Sequence, residues 1–95
     1  GVVRSAAMEL GPRGIRVNAI GPGPVATNAL RERVARRAAS GEGPGMDAAF
    51  GALNGETALG RIATEADVAG VAVFLASDLS SAVSGRLVRV DGGLG

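Results

Sequence analysis

The residues best suited to chemistry here are Pro22-Gly23-Pro24-Val25-Ala26-Thr27. Two prolines fix φ and a glycine allows close backbone approach, so this stretch reads either as a rigid, pre-organised loop placed where parallel sheets bind ligands or simply as a turn after a core strand. Downstream, Arg31, Arg33, Arg36 and Arg37 form a basic flank, read either as a solvated helix face or as a place for a phosphate or an acidic substrate. Equally informative is what is missing. The chain has no His, Cys or Tyr, and all 10 of its basic residues are arginines. General acid–base work near neutral pH normally needs a group with a pKa near 7, and only the 9 scattered carboxylates remain to supply one. No metal cluster can be drawn for the same reason. The chain therefore reads as one with no catalytic residue of its own.

A strand over 15–20 delivers that loop, with Ile15, Val17 and Ala19 on one face and Arg16, Asn18 and Ile20 on the other. The strand is expected to stop at Gly21-Pro22, because proline cannot extend a sheet. Ahead of it, Val3, Ala6, Ala7 and Leu10 mark a helix over 2–10, with Gly11 as its stop and Pro12 unable to continue it. After the loop, Leu30, Val34 and Ala38 predict a helix over 29–39 that Thr27 or Asn28 caps. A Gly/Pro-rich turn over 40–45 leads to a short amphipathic piece gathering Ala49, Phe50 and Leu53. Thr64-Glu65-Ala66-Asp67 is a capping-box-like start for a helix over 65–76 that carries no charge beyond its first turn. Such a helix must be covered on more than one side. A last strand over 86–90 ends at Asp91-Gly92-Gly93, where Asp91 is suited to holding a turn. The strand–helix–strand order implies a right-handed crossover and parallel strands.

A hydrophobic share of 46% and a charged share of 20% match an ordinary globular balance. The net charge of +1 is too small for the field that nucleic acid requires. No apolar run approaches the ~20 residues of a membrane span, and the first residues lack the basic region and cleavage site expected of a signal peptide. With no cysteine, a reducing, cytoplasmic setting is the expectation. The opening Gly1-Val2-Val3-Arg4, already helical in its periodicity, reads as the interior of a longer chain. Two strands make a weak sheet, so the 95 residues alone are expected to be molten or to associate.

Arg16-Val17-Asn18-Ala19-Ile20, then Pro22-Gly23-x-Val25-x-Thr27, then Ala76-Ser77-Asp78-Leu79-Ser80-Ser81-x-Val83-Ser84-Gly85 and Val90-Asp91-Gly92-Gly93, together resemble the C-terminal part of short-chain dehydrogenases/reductases. The resemblance covers essentially the whole chain. It implies an α/β fold: residues 1–95 as the C-terminal part of one NAD(P)-binding, Rossmann-like doubly wound parallel sheet, with 28–58 as a substrate lid. It implies that Pro22, Gly23, Val25 and Thr27 face the nicotinamide half of NAD or NADP, with backbone groups of Val25 on the carboxamide and the Thr27 hydroxyl adding a contact. Gly21 stands where that family often has alanine. Met46, Phe50 and Leu53 become substrate-side lid residues, or simply pack the short helix. Residues 65–76 and 86–91 fall where the family forms dimers or tetramers. The family's catalytic Ser and its Tyr-x-x-x-Lys pair have no counterpart here. Two functions follow: part of an oxidoreductase passing hydride between NAD(P) and a small alcohol or ketone, without nucleic acid or membrane; or a truncated, non-catalytic interaction module that binds no cofactor productively.

Overall fold

The computed structural model describes residues 1–95 and contains four α-helices and a parallel two-stranded sheet. The elements are α1 (Val2–Leu10), β1 (Ala19–Pro22), α2 (Asn28–Ala39), α3 (Met46–Gly55), α4 (Glu65–Ala76) and β2 (Leu87–Val90), an α/β order. The chain forms two compact units, Gly1–Gly21 with Ala66–Val90, and Pro22–Glu65 with Asp91–Gly95.

In the first unit, α1 ends at Leu10 with Gly11 as its C-cap, as its sequence suggests, and a separate 3-10 turn follows. Gly11 keeps right-handed helical angles (φ −54°), the chain tightens into a 3-10 turn over Gly11–Arg13, and the left-handed stop is Gly14 (φ 76°). Pro12 is accommodated because it lies at the start of that turn, where a missing N–H costs nothing. The strand is displaced from its expected span, since β1 begins at Ala19 and takes in Gly21 and Pro22. Just ahead of it, side chains share the pairing of residues 17 and 18 with the 83–86 segment. Val17 N–H donates to Ser84 Oγ (3.1 Å), Asn18 Nδ2 donates to the Val83 carbonyl (2.9 Å), and Arg86 N–H donates to Asn18 Oδ1 (3.1 Å). Main-chain bonds run from Gly85 N–H to the Val17 carbonyl (2.7 Å) and from Ala19 N–H to the Arg86 carbonyl (2.8 Å). Pro22 is tolerated as the final residue of a strand that is on an edge of this two-stranded sheet.

Arg16 binds this unit together. Its Nη2 donates to the carbonyls of Leu75 (2.9 Å) and Ser77 (3.3 Å), and its Nη1 donates to Ser80 Oγ (3.0 Å) and the Val83 carbonyl (3.3 Å). The last turn of α4 leaves carbonyls without helical partners, and a guanidinium placed there satisfies them while complementing the helix dipole. Ser80, in the 3-10 turn Asp78–Ser80, is the most buried side chain of the unit. Helix α4 is apolar all round, and Val73 and Phe74 are 69% and 44% exposed.

The second unit carries its buried core at Thr57, Ile62 and Ala63. Asn54, near the end of α3, organises that core. Its Oδ1 accepts from Ile62 N–H (2.9 Å), and its carbonyl accepts from Thr57 Oγ1 (2.8 Å). The segment after β2 docks here as well, with Ala58 and Leu59 N–H donating to the Gly93 and Gly92 carbonyls at 2.9 Å each. Asp91 Oδ1 accepts from Gly93 N–H (3.0 Å) and Leu94 N–H (3.4 Å), closing the turn. Only glycine fits at 92, because its φ is +68° and a β-carbon there would run into the Arg61 carbonyl oxygen.

Candidate functional site

The loop that leaves β1 is held at three points within the second unit. At Gly23 the chain passes so close to Asp91 that an added β-carbon would fall 2.9 Å from the Asp91 β-carbon. At Val25 it forms a parallel bridge with Ala63, in which Ala26 N–H donates to the Ala63 carbonyl at 2.9 Å. At Thr27 the N–H turns back onto the Val25 carbonyl (2.7 Å), and the hydroxyl Oγ1 caps α2 by accepting from Leu30 N–H (3.1 Å). Of the two capping candidates, Thr27 takes the role and Asn28 becomes the first residue of the helix.

These contacts decide which groups of the loop stay available. Successive N–H groups of an extended segment point to opposite sides, so with Ala26 committed to Ala63 the Val25 N–H faces the other way. The Thr27 hydroxyl spends a lone pair on its cap and keeps its proton, so it remains a donor. Val25 and Thr27 thus each bring a potential donor to a loop braced at three points.

A groove of about 550 Å³ opens beside them, lined by Pro24, Val25, Thr27, Leu30 and Leu53. Arg33 and Arg36, exposed on α2, form its charged wall. Among the residues singled out from sequence, Val25, Thr27 and Leu53 therefore meet in one groove. Gly23 instead braces the loop against Asp91, and Pro22 is the exposed end of β1. Phe50 packs between α3 and α2 with the Arg31 guanidinium 5.9 Å from its ring centroid, a cation–π distance. Met46 opens α3 and is 38% exposed, outside the groove.

Sequence reasoning passed over two groups of residues. Asn54 and Ala63, which hold the core segment against which the loop rests, carry no motif of their own. Arg16 and Asn18 did stand inside a motif, and their polar side chains on the same strand face were the signal that they reach a partner. A larger groove of about 790 Å³ lies in the first unit between α1 and the 81–86 segment. Its walls include Arg4, Met8, Ile15 and Arg86, and it holds none of the loop residues. No group of three or more metal-ligating side chains forms, and no helix is long and apolar enough to cross a membrane.

A family model described as enoyl-(acyl carrier protein) reductase matches residues 1–95. The chain is 40% identical over 93 residues to the short-chain reductase protein NovJ of Streptomyces niveus, covering 98% of this chain and 34% of that protein. It is 38% identical over 94 residues to an L-2,3-butanediol dehydrogenase of Corynebacterium glutamicum, covering 99% of this chain and 36% of that one. The crystal structure of a short chain dehydrogenase family protein from Francisella tularensis superposes with a TM-score of 0.84 at 34% identity, over 96% of this chain and 37% of that one. The chain thus spans about a third of the length of the relatives it matches.

Proposed function

The chain belongs to the short-chain dehydrogenase/reductase family, and from that premise we propose that it is the nicotinamide-side edge, the substrate lid and an assembly surface of an oxidoreductase. The enzyme passes a hydride between NAD or NADP and a small alcohol or ketone, in the cytoplasm. What carries the reading is the braced Pro22–Thr27 loop, whose Val25 N–H and Thr27 hydroxyl are left as donors at the rim of an apolar groove. The Val25 N–H and the Thr27 hydroxyl would hold the carboxamide of a nicotinamide, which would supply or accept the hydride. Pro22 and Gly23 hold the loop in register, and residues 28–58 close over the substrate with Leu53 on the groove wall. Met46 and Phe50 reach the substrate when α3 closes. Excluding water from a reaction centre is the usual work of such a lid. The chain has no His, Cys, Tyr or Lys to carry the accompanying proton, which we assign to the family's Ser and Tyr-x-x-x-Lys groups.

The exposed apolar residues support the assembly role. Phe74 and Val73 on α4 and Leu87 on β2, the last 56% exposed, lie in the spans 65–76 and 86–91 that we assign to a homo-oligomer interface. The same exposure favours a second reading, in which the chain acts only as an interaction piece and binds no cofactor productively. The two separate on one experiment with the full-length protein. Turnover of a keto/alcohol pair is followed with NADH and NADPH, and Thr27→Ala and Thr27→Ser are compared. Losing one hydrogen bond raises the nicotinamide KM about tenfold in the Ala variant, while Ser stays near wild type. An unchanged KM in Thr27→Ala removes Thr27 from the cofactor, and no turnover with either nucleotide leaves the interaction reading.

A further inference from the structure

We propose that Arg33 and Arg36 select substrates that carry an anionic group, a carboxylate or a phosphate, at a distance from the reacting carbon. The inference rests on the dehydrogenase reading above and adds the substrate class. Four arginines crowd α2, and the structure sorts them. Arg31 is engaged with Asn28 Oδ1 (3.4 Å) and the Phe50 ring, and Arg37 donates to the Glu42 carbonyl (3.4 Å). Arg33 and Arg36 instead line the groove that begins at Val25 and Thr27.

Their spacing makes them one feature. Residues three apart on a helix share a face, so two guanidinium groups converge on the same stretch of groove. Between them and Thr27 the lining is apolar, from Pro24, Leu30 and Leu53. A substrate suited to such a wall has an uncharged carbon body and an anionic far end, which planar guanidinium groups hold with two parallel hydrogen bonds. Thr27 caps the helix that carries both arginines. At ~1.5 Å of rise per residue, Arg33 and Arg36 lie roughly 9–14 Å along the axis from Thr27. A keto group near Thr27 and an anion held further along the helix by the two guanidinium groups describe an elongated oxo acid or oxo phosphate.

The test uses the full-length protein and three matched ketones of one chain length: an ω-carboxylate, its methyl ester and the corresponding ω-phosphate. Wild type is expected to favour one or both anionic substrates over the ester by at least about tenfold in kcat/KM, through KM, and the stronger of the two identifies the anion. Arg33→Gln with Arg36→Gln is expected to raise the anionic KM about tenfold or more, leave kcat within twofold and leave the ester unchanged. Arg37→Gln, which alters the neighbouring arginine outside the groove, is expected to change none of these. Turnover of all three ketones at similar kcat/KM, or an equal loss on the ester in the double variant, overturns the proposal while the dehydrogenase reading stands. Turnover of none of them with either nucleotide overturns both.

Discussion

Gly23 and Asp91, 68 positions apart in sequence, touch so closely that a β-carbon on Gly23 would fall 2.9 Å from the Asp91 β-carbon and 3.4 Å from its α-carbon. Each residue belongs to the segment that leaves the carboxyl end of its strand. In parallel sheets that end is where ligands sit, so the contact ties the candidate cofactor loop to the turn after β2. Gly23→Ala must therefore displace one segment or the other. The expected cost is about 1–3 kcal/mol in urea unfolding of the full-length protein, with a weaker nicotinamide KM at unchanged chain length. An Ala variant with wild-type stability and cofactor KM would show that the contact yields without consequence.

The Asp91 turn offers a graded series. Asp91→Asn keeps a carbonyl oxygen where Oδ1 accepts from Gly93 and Leu94, and should stay within about 0.5 kcal/mol of wild type. Asp91→Ala removes the acceptor and should cost about 1 kcal/mol. Gly92→Ala combines a positive φ with a collision against Arg61 and should cost more than either, about 3 kcal/mol or failure to fold. The ranking is read from denaturation midpoints, and Gly92→Ala coming out milder than Asp91→Ala would refute the geometry.

Arg16 is expected to resist its conservative replacement. A lysine has three donors on one point charge and cannot span the Leu75, Ser77 and Val83 carbonyls together with Ser80. Arg16→Lys should destabilise by about 2 kcal/mol, because carbonyls at the end of α4 lose their partner. Faster amide hydrogen exchange confined to the last turn of α4 and the following 3-10 turn is the local signature. Unaltered exchange there would mean that the guanidinium is a bystander.

Phe74 and Val73 test the assembly surface. Both are largely exposed in the single chain, so Phe74→Glu or Val73→Glu costs little folding energy by itself. Buried at an interface between copies, a carboxylate there is unpaired and prevents association. Sedimentation velocity on the full-length protein should show an oligomer for wild type and a smaller species for the variants. A wild-type monomer, or variants of undiminished mass, would place the interface elsewhere.

Periodicity and punctuation were enough to read α1, α2, α4 and β2, because an apolar stripe and a Gly or Pro stop act locally, through the chain's own geometry. The rigidity of Pro22–Thr27 was legible for the same reason, since the fixed φ of proline belongs to those residues wherever they fold. What the sequence could not disclose were relations set by segments far apart in it. Ser84 and Arg86 reach Val17 and Asn18 just ahead of β1, and no property of residues 15–18 alone announces those partners. The 3-10 turn that carries the chain from the end of α1 through Pro12 to Gly14 was likewise not announced. Four arginines of equal charge on α2 became two tied to neighbours and two facing a groove only when α3 and the 40–45 turn were laid beside the helix. Residue type thus determined which chemistry is available to this chain. Burial and through-space contact, which depend on the packing of distant segments, decided which groups are left to perform it.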